Sequence, residues 1–521
     1  MNASRRRLLQ GGALVGSVFL PAPFAWVWAQ SEGAARLMRV PKHALVIGNS
    51  GYKSVPLLLN PGNDARAIGA TLGEAGFVVR TVLDASRAQM LEAIQAYVAT
   101  LEARKSVGLF YFAGHGVQLA WHNYLLPVDA AIARAQDIQD QCVEVNSLIS
   151  GIKRAANPMN VIILDACREN PFGSEVRVEQ KGLSQMDAPP GTLLAYATAP
   201  GNLAADGQVG SNGLYTGNLL REMRVREAKI EDVFKRVRLG VRLASKGAQI
   251  PWESTSLEED FYFLPPEQLR KLSQAQEEQL FAEERALFEK ARQAREVAGF
   301  EEYLRRYPSG RFVELAQLML DRELASKGEK PVEIAPSQGN PNTLGSARAD
   351  THFKVGDHYV YRLHDLRLGT ERMARQTVTS ITDQEVLFNQ GRVILDPLGN
   401  SILLGDGRRF TPRQDLPLEY VVGKRWTTRF DLLTKGGGTV ELDLRIAARE
   451  TITVPAGTFD CFRIEGRGLN TSPFRPPIEG SVTFWRAPAQ VRRNIKGEEK
   501  RYFRQEVQAW DRHELVSYHQ G

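Results

Sequence analysis

The chain has 521 residues, too many for one ordinary domain, so two or three separately packed domains are expected. Its 43% hydrophobic and 24% charged residues exclude a disordered or fibrous chain and suit a soluble globular one. The formal net charge is only +6, and Lys and Arg are spread among Asp and Glu apart from the arginines at the start, so no nucleic-acid partner is expected.

Residues 1–29 read as a removable signal peptide. Ser4-Arg5-Arg6-Arg7-Leu8-Leu9-Gln10 is a charged start, an apolar Gly- and Ala-containing stretch follows from Gly11 to about Trp28, and Val27-Trp28-Ala29 offers a cleavage site. The run resembles a twin-arginine signal, which implies export in the folded state and a periplasmic or secreted protein. A Sec signal and an uncleaved anchor are the alternatives. No other apolar run is long enough to span a bilayer, so no transmembrane helix is expected in the mature chain.

From residue 40 to 265 short apolar runs alternate with amphipathic stretches of helix length. Ala44–Ile47, Phe77–Val82, Val107–Phe112, Val161–Leu164 and Leu193–Ala197 read as strands. Asp64–Ala75, Arg87–Glu102, Asn146–Ala156, Leu214–Arg226 and Glu231–Ser245 read as helices. This is an α/β pattern with a mainly parallel sheet, whose active site is expected in the loops at the carboxyl ends of the strands. Residues 266–326 are charged and helical, with a break at Tyr307-Pro308-Ser309-Gly310 and a further helix over Arg311–Arg322, and resemble one tetratricopeptide-like hairpin. Such a unit is expected to space the flanking domains or to pack on one of them. Residues 327–350, polar and containing Pro331, Pro336 and Pro341, read as a linker. Residues 351–521 carry many short alternating runs and form a β-rich domain of unknown role. Val454-Pro455-Ala456-Gly457-Thr458-Phe459, Cys461-Phe462-Arg463-Ile464 and Trp485-Arg486-Ala487-Pro488 resemble a β-domain of exported bacterial proteins, which implies a fold type and no chemistry.

Two strand ends carry the chemistry. Leu109-Phe110-Tyr111-Phe112-Ala113-Gly114-His115-Gly116 ends in a histidine between glycines, and Val161-Ile162-Ile163-Leu164-Asp165-Ala166-Cys167 ends in a cysteine. If the strands are parallel neighbours, His115 and Cys167 share one rim. Imidazole then serves as base for the thiol and later protonates the leaving amine. The N–H groups of Gly116 and Cys167 offer an oxyanion hole. Taken singly, a histidine at a strand end is more often structural and a cysteine after a buried strand is more often a core residue. The other cysteines, Cys142 and Cys461, read as structural, and none of the three is in metal-ligand spacing. His43 and His122 have no matching partners and stay unassigned.

Taken together, residues from about 43 to 264 resemble the caspase-like cysteine peptidases, in particular bacterial relatives of metacaspases, orthocaspases and paracaspases. The matching stretches are Ala44-Leu45-Val46-Ile47-Gly48-Asn49 with Tyr52, Asn60-Pro61-Gly62-Asn63-Asp64-Ala65, Phe112-Ala113-Gly114-His115-Gly116, Asp165-Ala166-Cys167-Arg168 and Leu194-Ala195-Tyr196-Ala197-Thr198-Ala199-Pro200-Gly201. His115 stands 52 residues before Cys167, and caspases separate the two by about 50. The resemblance implies a mainly parallel caspase-like sheet flanked by helices, a catalytic dyad at His115 and Cys167, and pairing of the substrate strand near Tyr196 to Gly201.

Specificity follows from a departure. Animal caspases line the pocket for aspartate with glutamine and arginine; here the matching positions are Asp165 and about Asp206, and Asp64 matches a third acid of the metacaspase and paracaspase relatives. The resemblance therefore implies a cationic Arg or Lys at the cleaved position and peptide or protein substrates carrying it. Asp64 equally suits a helix cap, Asp206 a turn, and Asp165 needs a partner or water at the end of its apolar strand. The long polar stretch from Arg168 to Gly191 suggests self-cleavage after Arg177 or Lys181. No cofactor is expected; some metacaspases need calcium, but no calcium site is identified. The other reading is a regulatory or interaction module with weak or conditional catalysis, targeted to the cell envelope by the C-terminal β-domain. Oligomeric state is not legible in the sequence.

Overall fold

The computed structural model describes residues 33–167, 170–172, 176, 182–199, 202, 210–267, 272–330, 339–434, 437–472 and 474–521. The leader, Asp206, Arg177 and Lys181 lie outside the described residues.

The N-terminal part is built on one sheet. Its parallel strands are β1 (Lys42–Gly48), β2 (Val78–Leu83), β3 (Val107–Leu119), β6 (Met159–Cys167) and β7 (Thr192–Tyr196), with β2 at one edge and β8 (Trp252–Thr255) antiparallel to β7 at the other. The order is β2-β1-β3-β6-β7-β8, and the short strands β4 (His122–Leu125) and β5 (Val143–Glu144) extend from the end of β3. The central strands are apolar at nearly every position because helices cover both faces. On one face Val46, Leu109, Tyr111 and Ile163 pack against α1 (Pro61–Glu74), α5 (Leu214–Met223) and α6 (Ile230–Ala244). On the other, Leu45, Phe110, Phe112 and Ile162 meet α2 (Arg87–Arg104) and α4 (Val145–Ala155), which α3 (Ala135–Gln141) precedes. α1 begins at Pro61, whose fixed φ suits the first helical position, and α2 begins with a Ser86/Gln89 capping box.

The helical region has three helices, not a bare hairpin: α7 (Gln274–Ala294), α8 (Val297–Arg306) and α9 (Val313–Ser326). α8 and α9 flank the turn expected at Pro308, and α7 is added because Phe281 and Phe288 need cover, Phe288 stacking on Phe312 with ring centroids 4.8 Å apart. These helices do not stand free. Phe300, Leu315 and Met319 share a core with Leu442, Leu444, Phe462 and Ile464 of the C-terminal sheet. That sheet has eleven antiparallel strands, of which the longest are β17 (Thr439–Val454) and β18 (Gly457–Ser472). A separate two-stranded sheet pairs β9 (Ser346–Arg348) with β15 (Glu419–Val421). β9 and residues 339–345 fall inside the stretch expected to be a linker, and both are packed against folded elements.

A partly buried charge network joins these parts. Arg238 of α6 meets Glu419 of β15 in a bidentate pair, with N–O distances of 3.0 and 2.8 Å. Arg348 of β9 reaches both Glu419 and Asp321, and Arg242 of α6 reaches Asp321 and Glu329. Burial pushes the Glu419 carboxyl up, but Arg238 and Arg348 outweigh it and bring it down to about 2. Breaking a fully buried pair costs about 3–5 kcal/mol and an exposed one about 0–1 kcal/mol, so this partly buried pair is expected to fall between, at about 2 kcal/mol. Glu419→Ala is therefore expected to lower the unfolding free energy by that amount at pH 7, measured by urea denaturation. The carboxyl lies below its ordinary value of 4.5 in the folded state. The folded state thus holds fewer protons, so the advantage of wild type over Glu419→Gln is complete above about pH 4.5 and declines as the pH falls towards 2.

Candidate active site

β3 and β6 lie side by side, so the two chemistry-bearing strand ends are neighbours. Their register changes at the rim: Ala113 pairs with Asp165 and Gly116 with Cys167, so Gly114 and His115 stand opposite the single residue Ala166. This is a β-bulge, a device that re-aims a side chain at the end of a strand. It brings the backbone of Cys167 level with Gly116, the residue next to His115. The two glycines permit close approach. A methyl group on Gly114 would stand 2.5 Å from the Tyr52 hydroxyl, and one on Gly116 2.7 Å from the Ala166 carbonyl oxygen.

His115 is buried, and its ring is held by the loop between β1 and α1. Its Nε2 lies 2.8 Å from the Pro56 carbonyl oxygen. A carbonyl only accepts, so Nε2 carries the proton and Nδ1 carries the lone pair of the neutral ring. The Tyr52 hydroxyl accepts the His115 backbone N–H at 2.8 Å, and its ring lies 4.7 Å from the imidazole between centroids. On the other side Leu126 N–H donates to the His115 carbonyl at 3.0 Å. The loop is itself anchored. Asn49 donates to the Leu126 carbonyl and accepts from Ala85 N–H, both at 2.9 Å, and Asp84 accepts the N–H groups of Ser50 and Gly51. Tyr52→Phe leaves the buried His115 N–H without its acceptor. The expected result is a loss of about 1–3 kcal/mol in urea denaturation.

Two of the three expected acids converge. Asp165 is 6% exposed and Asp64 3%, and both carboxylates bear on the phenol of Tyr111. Burial first, and then the charges of Asp165 and Asp64, push that phenol well above its ordinary value, so it stays protonated. The Thr216 hydroxyl donates to Asp165 at 2.9 Å and lies 2.6 Å from the Tyr111 oxygen. Since Thr216 gives its proton to the carboxylate, Tyr111 donates to Thr216. Asp64 accepts Gly213 N–H at 3.0 Å. Gly213 is the N-cap of α5 and Thr216 lies in its first turn, so one positive helix end orients both acids. Asp64 is not the cap of its own helix: Asn60 occupies that place and Asp64 lies one turn in.

Tyr196 is placed differently from expectation. It is 1% exposed within the core, and its backbone is paired with Leu164 on one side and Trp252 on the other. A substrate strand has no free edge there, and Ala197 is likewise held, its N–H donating to the Leu164 carbonyl at 3.1 Å and its carbonyl accepting from Gln249 at 2.9 Å. Cys142 and Cys461 are buried, and burial pushes both thiols up to about 12, which suits inert core residues. His122 pairs with Glu144 at 2.6 Å, away from the rim. Among the described residues no group of three or more His, Cys, Asp or Glu is arranged to hold a metal ion.

Residues 41–262 match the caspase domain family, Peptidase_C14. Over 186 residues the chain is 27% identical to mucosa-associated lymphoid tissue lymphoma translocation protein 1 of Homo sapiens, covering 36% of this chain and 21% of that protein. The homologue from Mus musculus matches with the same identity and coverage. The chain thus spans about a fifth of the length of these curated relatives, and the domain is a caspase-family peptidase domain related to the paracaspases. The sequence marks His115, Cys167, Asp64 and Asp165 as candidates but gives no sign of Pro56, Gly213 or Thr216. A backbone carbonyl or N–H leaves no mark in a sequence, and a threonine early in a helix reads as an ordinary helix-start residue.

Proposed function

We propose that the protein is a cysteine endopeptidase that cuts after Arg or Lys. The observation that carries this is the bulged β3–β6 register, which sets the Cys167 backbone beside Gly116 while Pro56 fixes the tautomer of His115. In this reading Nδ1 of His115 takes the Cys167 proton, and the thiolate attacks the scissile carbonyl. The N–H groups of Gly116 and Cys167 receive the oxyanion. His115 then protonates the departing amine, and water, deprotonated by the same ring, releases the acyl group. The paired acids Asp64 and Asp165 favour a guanidinium or ammonium at the cleaved position, with Asp206 as a third candidate. The leader, Ser4 to Ala29, supports action outside the cytoplasm, periplasmic or secreted.

The test is a peptide panel ending in Arg, Lys or Asp, offered to mature protein in reductant with and without calcium. Cleavage after Arg or Lys that vanishes in Cys167→Ala is the expected result. Cleavage after Asp alone would refute the acidic pocket, and no cleavage of any peptide would favour a regulatory module. Intact mass of active and Cys167→Ala protein tests self-cleavage after Arg177 or Lys181: identical chains would end that idea.

A further inference from the structure

The polypeptide that returns from the cysteine loop to β7, residues 182–188, has its own hydrogen-bonding partners. Asn123 of β4 takes the Ser184 N–H at 2.7 Å and donates to its carbonyl at 2.9 Å. Next to Ser184, Leu183 packs against the catalytic strand. A methyl group on Gly116 would lie 3.1 Å from its Cδ2. This return arm therefore backs the residue that stands between His115 and the Cys167 backbone.

The other side of the arm is covered by a segment more than 150 residues later in the chain. Asn340, itself 6% exposed, donates to the Gln185 carbonyl at 2.8 Å. Asp187 accepts from the Thr343 hydroxyl and from Leu344 N–H, both at 2.6 Å, and its own N–H donates to the Asn342 carbonyl at 3.0 Å. The Asn342 side chain donates to the Trp121 carbonyl at 2.9 Å, on the hairpin between β3 and β4, and accepts from Asn146 at 3.0 Å. Arg449 of β17 then grips the Leu344 carbonyl, while also pairing with Asp460 of β18. Composition marks residues 339–345 as linker, yet they form a strap with one end on the C-terminal sheet and the other on the return arm.

We infer that Asn342, Thr343 and Asp187 are positioning residues, and that the strap holds the return arm so that Gly116 and the strand bearing His115 keep their place beside Cys167. The caspase domain is then not self-sufficient: its rim is completed by the chain that leads into the β-domain. The strap acts by support and not by blockade, since the contacts named fall on the arm, the β3–β4 hairpin, Asn146 of α4 and Arg449 of β17, and none on His115 or the acids Asp64 and Asp165. Displacement of a reacting group by about 1 Å costs up to about a hundredfold in rate, so a loosened support is expected to be visible in turnover.

The test uses the full mature chain with Asn342→Asp, which sets an acceptor against the Trp121 carbonyl, and the milder Thr343→Val and Arg449→Ala. Hydrogen exchange at residues 183–188 and 115–118 is expected to accelerate about tenfold in Asn342→Asp, with the strands of the C-terminal sheet unchanged. On an Arg-ended peptide kcat is expected to fall about tenfold, with KM within about twofold, well below the unfolding temperature. A merely structural contact would lower stability without that split. Unchanged exchange would overturn the inference, as would faster exchange with unchanged or raised kcat. The inference rests on the peptidase reading only for the turnover arm. If no peptide is cleaved at all, the exchange result still stands, and alkylation of Cys167 by iodoacetamide replaces kcat: an unchanged rate in Asn342→Asp would overturn the inference.

Discussion

Cys167→Ala is expected to lower kcat/KM on an Arg-ended peptide by at least about 10⁴-fold, to the limit of detection in a steady-state assay. The thiol is the only group at this rim proposed to form a covalent bond to the substrate, so no other side chain substitutes for it. His115→Ala is expected to cost nearly as much, because base and nucleophile act as one unit and their losses are not additive. The double variant should then be no worse than either single one. His115→Gln makes a finer probe. Its side-chain amide can still donate to the Pro56 carbonyl, which His115 Nε2 approaches at 2.8 Å, but it supplies no base. If His115 were a structural residue, that variant would keep activity; as a general base it loses about 10²-fold or more. Thermal unfolding of all four variants should stay close to wild type if the losses are chemical.

Asp165→Asn is expected to reduce kcat/KM for Arg-ended peptides roughly 30-fold to several thousand-fold, while kcat/KM for a neutral residue at that position rises or holds. Truncating one partner of a buried charge pair costs about 2–5 kcal/mol, and each 1.36 kcal/mol is a factor of ten. The amide keeps the Thr216 contact, seen at 2.9 Å, only in one of its two orientations, so part of the loss comes from a turned side chain. Thr216→Val separates the two effects, because it retains the charge and removes the hydroxyl that orients it. Asp64→Asn is expected to act in the same direction, with Gly213 N–H still donating to the amide oxygen. A variant series in which Arg and neutral peptides lose equally would show that these acids serve structure and not recognition.

Much of this was legible in the order of residues. Leu109 to Phe112 and Val161 to Leu164 are strands because each is a short continuous apolar run, the second ending at Asp165. The helices start near their expected positions because Pro61 and the Ser86/Gln89 pair act within a few residues of themselves. Tyr196 was less legible. Its place in the matching stretch suggests the substrate edge, but burial against both neighbours is a property of the sheet order, which puts β8 where an edge is expected. The strap was misread for a related reason: polar composition predicts exposure only where no folded surface offers hydrogen-bonding partners, and Asp187 and Gln185 offer them.

By itself the sequence determined the type of the main elements of the N-terminal sheet and named the residues proposed for the dyad and the acidic pocket, because these depend on side-chain identity and on periodicities of two to four residues. Only the tertiary structure decided what these groups touch. His115 meets Pro56 across 59 residues, Asp165 meets Thr216 across 51, and Asp187 meets Thr343 across 156. Contacts of that range are set by strand order and helix packing, which no local pattern of residues records, and in the His115–Pro56 contact one partner is a backbone carbonyl, the same at nearly every residue.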